Sequence, residues 1–442
     1  MRSKSALNKY IVIIFGLGAG ILISSLSIAG STRTLKRTED YVLFTGAHVP
    51  SLNRCETGDL HLYSSGPSGF RAVPFQVDKR DAGGLLVFPD EPDPLRDGTR
   101  LDLNDELVFM VKDAGNRSPQ GAWVEGAAKG VEIELVDPLD GGRAWVYLFE
   151  RPGQDPPDTA DYVSQYEDDE RIFALADQYE VGQPKSKYYY DWLKLKKPDG
   201  SWGADLFDRQ KMGMKALLLN GSIPISIPEQ EIQSRTLGVI DGPVRLVRRE
   251  MRLAEIRIIG FKYITEFNNY FYGNGYVSPV EIEIPVTMYK LFLDLSFYYG
   301  MDFTEAAIGS VVKSPANPGG IKLDGKPDPG VDDKSDNLYM VFTGPEGSFI
   351  EVFVLDENLS QMLDRAIYIE EDPLKIDPGE DHPGSLIAGF YTASGSKLKK
   401  GTYNYAIYHY YPGRVSDQKT QEILNMIERS VEIEARPITP PH

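Results

Sequence analysis

Three groups of side chains in this sequence are of types and spacings that could do chemistry. The first is rich in hard oxygen donors. Asp97, Asp102, Asn104 and Asp105 lie just ahead of the apolar run Leu107–Met110, and Asp324, Asp328, Asp332 and Asp336 recur every four residues in a segment broken by Pro and Gly. Carboxylates and amides at short spacing are what a Ca²⁺ loop requires. Neither set has EF-hand spacing, however, and Asp and Asn also close turns by bonding their own backbone. Both readings stand, and Ca²⁺ is the cofactor that either set implies.

The second group is aromatic: Tyr190 and Trp192 in Tyr188–Trp192, Tyr272 in Tyr270–Tyr272, and Tyr405 in Tyr403–Tyr411. Flat amphipathic rings beside Asn, Asp and Arg can stack on sugar faces while polar groups take the hydroxyls. Tyr on a half-buried strand is also ordinary sheet packing. The third group is His409, which with Arg245 or Tyr411 could abstract a proton as a lyase does. A lone strand histidine is more often simply hydrogen-bonded. The chain has 5 His and lacks H-E-x-x-H, G-x-S-x-G and S-x-x-K arrangements. Of 65 Asp and Glu, sequence alone cannot choose a pair that would face one another across a glycosidic bond.

Composition narrows the partners. With 47 Lys and Arg against 65 Asp and Glu, the formal charge is −18, which repels phosphate backbones and argues against nucleic acid. Cys55 is the only cysteine, so there is no intrachain disulfide, multi-cysteine metal site or C-x-x-C-H haem attachment, and a buried thiol is expected. Residues 1–30 begin with Arg2, Lys4 and Lys9 and continue as an uncharged stretch. Small residues at Ser27 and Ala29 suit a signal peptide cut after Ala29. The length of the stretch and the cations at Arg33, Lys36 and Arg37 suit an uncleaved single anchor. Either way the sequence predicts export, to the periplasm or cell surface, in free or membrane-anchored form.

The elements that must position these groups are strands. Val131–Val136, Ala144–Phe149, Val244–Leu253 and Gly347–Val354 alternate or run apolar with β-branched and aromatic residues. Turn signals such as Asp140-Gly141-Gly142 and Asp241-Gly242-Pro243 separate them. Helical periodicity is confined to Asp168–Tyr179 and to Ser416–Arg429, the latter with Ser416 as cap. The expected fold is all-β: an N-terminal β-sandwich over 38–155, a linker with a possible short helix over 156–180, a large β-sandwich over 181–436 and a disordered tail at 437–442.

Val73-Pro-Phe-Gln-Val-Asp78, Asn104-Asp-Glu-Leu-Val-Phe-Met110, Asp241-Gly-Pro-Val-Arg245 and the late Gly384-Ser385 and Lys400-Gly-Thr-Tyr403 together resemble uncharacterised exported β-sandwich proteins of Gram-negative bacteria. The Gly-Pro-Val-Arg strand is also similar to one in polysaccharide-lyase supersandwich domains, and no lyase catalytic residue maps onto this chain. The expectation is therefore a non-catalytic envelope protein that binds a glycan or another envelope protein. A carbohydrate-active lyase or hydrolase is the alternative.

Overall fold

The computed structural model describes residues 31–89, 98–218, 221, 223–256, 261–284, 292–327, 334–335, 337–375, 382 and 384–441. Residues 1–30, read above as a signal peptide or anchor, and Asp97, Asp328, Asp332 and Asp336 lie outside these residues. No helix among the described residues is long and apolar enough to cross a membrane. The fold is all-β, with five antiparallel sheets and two α-helices among the described residues, and the chain divides into two units.

The first unit holds β1 (Tyr41–Thr45), β2 (Leu60–Gly66), β3 (Gly69–Ala72), β4 (Gln76–Asp78), β5 (Glu106–Met110), β6 (Lys129–Val136) and β7 (Arg143–Glu150). Alternation on β6 turns Val131, Ile133 and Leu135 into a core shared with Val42, Phe44, Leu107 and Phe109 of the sheet β1-β5-β4. Its other face carries Glu132 and Glu134, ion-paired with Arg117 and Arg143. β7 is buried on both faces, because Trp145, Tyr147 and Phe149 pack into a second aromatic cluster with Tyr63 and Phe70. That is why Ala144–Phe149 reads as a continuous apolar run. The turn between β6 and β7 uses Gly141 at φ +72°, where Asp140 accepts from the Gly142 N–H at 2.8 Å. Cys55 is buried here, and burial, with a hydrogen bond to Glu150, pushes its thiol up to about 11.

The second unit spans Tyr162–Gln421. Four short strands, β8 (Val163–Glu167), β9 (Arg171–Ala176), β10 (Tyr179–Pro184) and β11 (Trp192–Leu195), form one sheet. Two larger sheets follow. One has five strands in the order β13-β12-β18-β24-β23, built from β12 (Phe207–Leu218), β13 (Ile223–Pro228), β18 (Phe292–Phe303), β23 (Asp364–Asp372) and β24 (Ser385–Ala393). The other has nine, in the order β14-β15-β16-β17-β25-β22-β21-β19-β20. Its members are β14 (Gln233–Asp241), β15 (Arg245–Ile256), β16 (Phe261–Tyr272), β17 (Gly275–Ile284), β19 (Val311–Lys313), β20 (Ile321–Lys322), β21 (Leu338–Gly344), β22 (Gly347–Leu355) and β25 (Gly401–Tyr410). A single apolar core draws on both large sheets, the arrangement of a sandwich. The helices are α1 (Glu357–Met362) and α2 (Asp417–Glu428). Ser416 caps α2 by accepting from the Lys419 N–H at 3.1 Å, and Thr420, Ile423 and Met426 are its buried residues.

The structure differs from the sequence reading in three places. Residues 156–180 are not a linker with a helix: 168–179 makes a turn, β9 and the start of β10. The Asp168 carboxylate accepts from Glu170 and Arg171 N–H, and β9 is paired on both sides, by β8 and β10. The apolar run Ile172–Ala176 suits either period, and tertiary pairing selects the strand. Second, the boundary falls between Asp161 and Tyr162, and residues from Glu422 onward belong to the first unit, so that unit is not 38–155 nor the other 181–436. Third, the end of the chain is not a free tail from 437. Strand β26 (Glu432–Ile438) pairs with the edge of β6 from Glu432↔Val136 to Ile438↔Gly130. Strand pairing between segments so far apart in sequence leaves no local signal.

Candidate functional site

The described calcium candidates of the first set, Asp102, Asn104 and Asp105, are each engaged by other partners. Asp105 is fully buried and its carboxylate accepts from the N–H of Asp102 at 2.6 Å, the N–H of Arg80 at 3.0 Å and the Lys79 ammonium at 2.5 Å. Asp102 faces Arg54 at 3.5 Å, and Asn104 donates to the Asp81 carbonyl at 2.7 Å. Asp324 accepts from the Lys326 N–H in its own turn, the remaining members of its set being outside the described residues. Among the described residues no three His, Cys, Asp or Glu side chains form a group that could hold a metal.

The aromatic candidates also separate. Tyr190 is in the core, its ring 5.5 Å from that of Tyr276. Tyr272 is buried, on the face of β16 opposite to the inward Phe271. Trp192 donates to Glu180 at 2.6 Å and carries the Lys194 ammonium 4.2 Å from its ring centre. Tyr405 lines the cavity between the two large sheets. Arg245 stands with its guanidinium 5.0 Å from the Tyr270 ring, at the strand parity opposite to Leu246, which enters the core. It therefore does not join His409.

His409 and Tyr411 do join, in a buried polar belt that crosses the large sandwich. The register places Tyr276 of β17, His409 of β25 and Glu351 of β22 side by side. All three share strand parity with core residues: Val280, Ile407 and Phe349. The His409 ring stacks on Tyr276 at 4.1 Å. Its Nε2 is 3.1 Å from the Tyr299 hydroxyl of β18 in the facing sheet, which also receives the Gln210 amide of β12 at 2.5 Å. Nδ1 lies 3.6 Å from Glu351 Oε1, longer than a hydrogen bond. Burial drives His409 down to about 3, so its imidazole is neutral at neutral pH, and raises Glu351 well above the usual carboxylate range, favouring its neutral acid. The phenols of Tyr276, Tyr299 and Tyr411 are pushed up by the same burial. A fully enclosed, neutral imidazole whose ring is covered by Tyr276 packs and bridges two sheets. No described face of it is open to a substrate proton.

The belt continues along β15, where Arg248, Glu250 and Arg252 occupy alternate positions on the face that also carries Leu246 and Ala254 into the core. Glu250 accepts from Asn269 at 3.0 Å. Asn269 accepts from Ser278 at 2.5 Å, and Arg248 donates to Gln165 at 3.0 Å. These residues escape a motif search, yet parity marks them. In Leu246-Val-Arg248-Arg-Glu250-Met-Arg252-Leu-Ala254, and in Phe349-Ile-Glu351-Val-Phe353, charges fall at inward positions of a strand.

To one side of the belt the two large sheets do not meet. They leave a cavity of about 290 Å³, near the lower end of the range of roughly 300–1,000 Å³ common to small-molecule sites. Met212, Met214, Leu295 and Phe297 line it from the five-stranded sheet, and Ile282, Phe353, Leu355 and Ile407 from the nine-stranded one. Leu359 and Leu363, in and just after α1, add aliphatic wall. The few polar wall residues include Arg252, Thr265, Ser278, Tyr299 and Tyr405, so the belt forms one wall of the cavity. Such a lining, apolar with a small number of placed polar groups, is that of a ligand site.

No protein-family model matches the chain, and no curated protein matches it. Among solved structures, that of an alpha-mannosidase from Enterococcus faecalis V583 aligns over 93% of this chain and 46% of its own length, at 9% identity and a TM-score of 0.43. This chain thus spans less than half the length of that structure.

Proposed function

We propose that this chain is an exported, non-catalytic binding protein of the cell envelope whose larger unit carries an elongated apolar ligand between its two large sheets. The observation that carries the reading is the cavity. It is walled by apolar side chains of both large sheets and borders solvent at the exposed Glu283. An apolar molecule that enters it buries its surface at about 25 cal/mol per Å².

Export is supported by the basic start and uncharged stretch of residues 1–30. The non-catalytic reading is supported by the enclosure of His409 and the separation of Arg245 from it. The same cavity replaces a sugar with an apolar molecule as the favoured ligand, since Tyr190, Trp192, Tyr272 and Tyr405 offer no common stacking face. The test is titration of the chain lacking residues 1–30 with the uncharged fluorophore N-phenyl-1-naphthylamine. Saturable enhancement with one site per chain, competed by a long-chain alcohol, is the expected result. Fluorescence that rises only in proportion to probe, without competition, contradicts the proposal.

A further inference from the structure

The apolar cavity contains one structural anomaly, a guanidinium on its wall. Arg252 sits on β15 with its Cζ 3.2 Å from the centre of the Tyr188 ring and 4.1 Å from that of Phe267. Both rings belong to the core, and Tyr188 also lines the cavity. Its Nε and Nη2 are buried and meet no hydrogen-bond partner among the described residues. A guanidinium is never deprotonated under ordinary conditions, and its donors left dry and unmatched are costly.

The charges around it do not cancel. On the inward face of β15, Glu250 lies between Arg248 and Arg252 and is attracted to both, while Arg248 Nη1 and Nη2 are likewise buried and unmatched. One carboxylate thus stands between two guanidinium groups. Burial, the dominant influence, also pushes Glu250 toward its neutral acid, which leaves still more positive charge uncompensated. The one carboxylate on the cavity wall, Glu283, is exposed. Across the strand pair, Arg252 is in register with Thr265, whose side chain also reaches the wall and adds a hydroxyl.

Resting on the cavity reading above, we propose that the ligand is an anionic amphiphile, a long-chain carboxylic acid, whose carboxylate takes the free Nε and Nη2 edge of Arg252 while its chain lies among Met214, Phe297, Ile282 and Phe353. The planar edge of a guanidinium matches a carboxylate with two parallel hydrogen bonds. Tyr188 and Phe267 hold the plane in place, so little side-chain freedom is lost on binding. The low polarity of the surroundings strengthens the pair relative to water.

The experiment compares dodecanoate, dodecanol and methyl dodecanoate at pH 8 as competitors of N-phenyl-1-naphthylamine on the chain lacking residues 1–30, on Arg252→Met and on Arg252→Lys. The wild type should bind dodecanoate at least tenfold more tightly than dodecanol. Arg252→Met should lose that preference while keeping its affinity for dodecanol within about threefold, and Arg252→Lys should retain part of the preference. Retained dodecanol binding also shows that each variant is folded. Equal affinity of the wild type for acid and alcohol, or an acid preference that survives in Arg252→Met, overturns the head-group assignment and leaves the cavity reading standing. Failure of all three competitors and of the fluorophore overturns both.

Discussion

Replacing Val280 by Phe weakens binding of an uncharged apolar probe at least tenfold, about 1.4 kcal/mol, and leaves the melting temperature at or above that of the wild type. Val280 is buried on β17 and its side chain is part of the cavity wall. In a filled core a larger side chain strains its neighbours, typically by about 1–3 kcal/mol. Here the added ring has cavity volume to enter and buries its apolar surface there. Stability and binding should therefore move in opposite directions, a pattern that a merely disruptive substitution cannot give. Thermal melts and probe titrations on the same preparation check it. A lower melting temperature with unchanged binding would place the ligand elsewhere.

The second large effect is on pH dependence. The His409 imidazole titrates near 6.5 when unfolded and near 3 in the fold. Above about pH 6.5 neither state binds this proton, and the contribution to stability is fully present. As pH falls through 6.5 toward 3 the unfolded chain takes up the proton and the folded chain does not, so stability is lost. A shift of this size is worth several kcal/mol over the whole interval. Glu351 acts with the opposite sign. Its folded pKa is raised, so its contribution is present below the usual carboxylate range near 4.5 and is lost as pH rises toward its folded value.

His409→Gln should accordingly flatten the fall in stability between pH 6.5 and 4.5, and Glu351→Gln should raise the stability of the second unit above pH 7 relative to the wild type. Amide hydrogen exchange in β22 and β25, followed across pH after correction for intrinsic rates, reads the unit that contains both residues. A wild-type and a His409→Gln profile that run parallel would show that His409 is protonated in the fold.

Much of the architecture could be read from the chain because it is written locally. The alternation Val131-Glu-Ile-Glu-Leu135 separates a core face from an ion-paired face. Ala144–Phe149 is apolar throughout because both of its faces are covered. The Asp140-Gly141-Gly142 turn needs the positive φ that Gly141 has, and Ser416 caps the one long helix. Residues 168–179 misled because Ile172–Ala176 fits a helix and a strand equally well, and only pairing with β8 and β10 decides between them.

The site was less legible for a different reason. A cavity is the failure of distant side chains to fill a space, and its walls, from Met212 to Ile407, are residues that would look the same in a filled core. The tyrosines marked for sugar binding scatter for a related reason: Tyr190 enters the core, Tyr272 is buried on the other face of its strand and Tyr405 lines the cavity, and the sequence does not show which face of a strand is covered. What was present in the sequence, and carried meaning, is the parity of Arg248, Glu250, Arg252 and Glu351. Charges at inward strand positions need partners, and those partners form the polar wall that an apolar ligand with a charged head would meet.

The central claim is that an apolar molecule lies between the two large sheets, and the most direct measurement is a crystal structure of the chain lacking residues 1–30 grown with 12-bromododecanol, with anomalous data collected at the bromine edge. The account predicts a bromine peak within the space enclosed by β12, β18, β17, β22 and β25. Bromine signal confined to the protein surface, with the Met214, Phe297 and Ile407 side chains closed across the cavity, would contradict it.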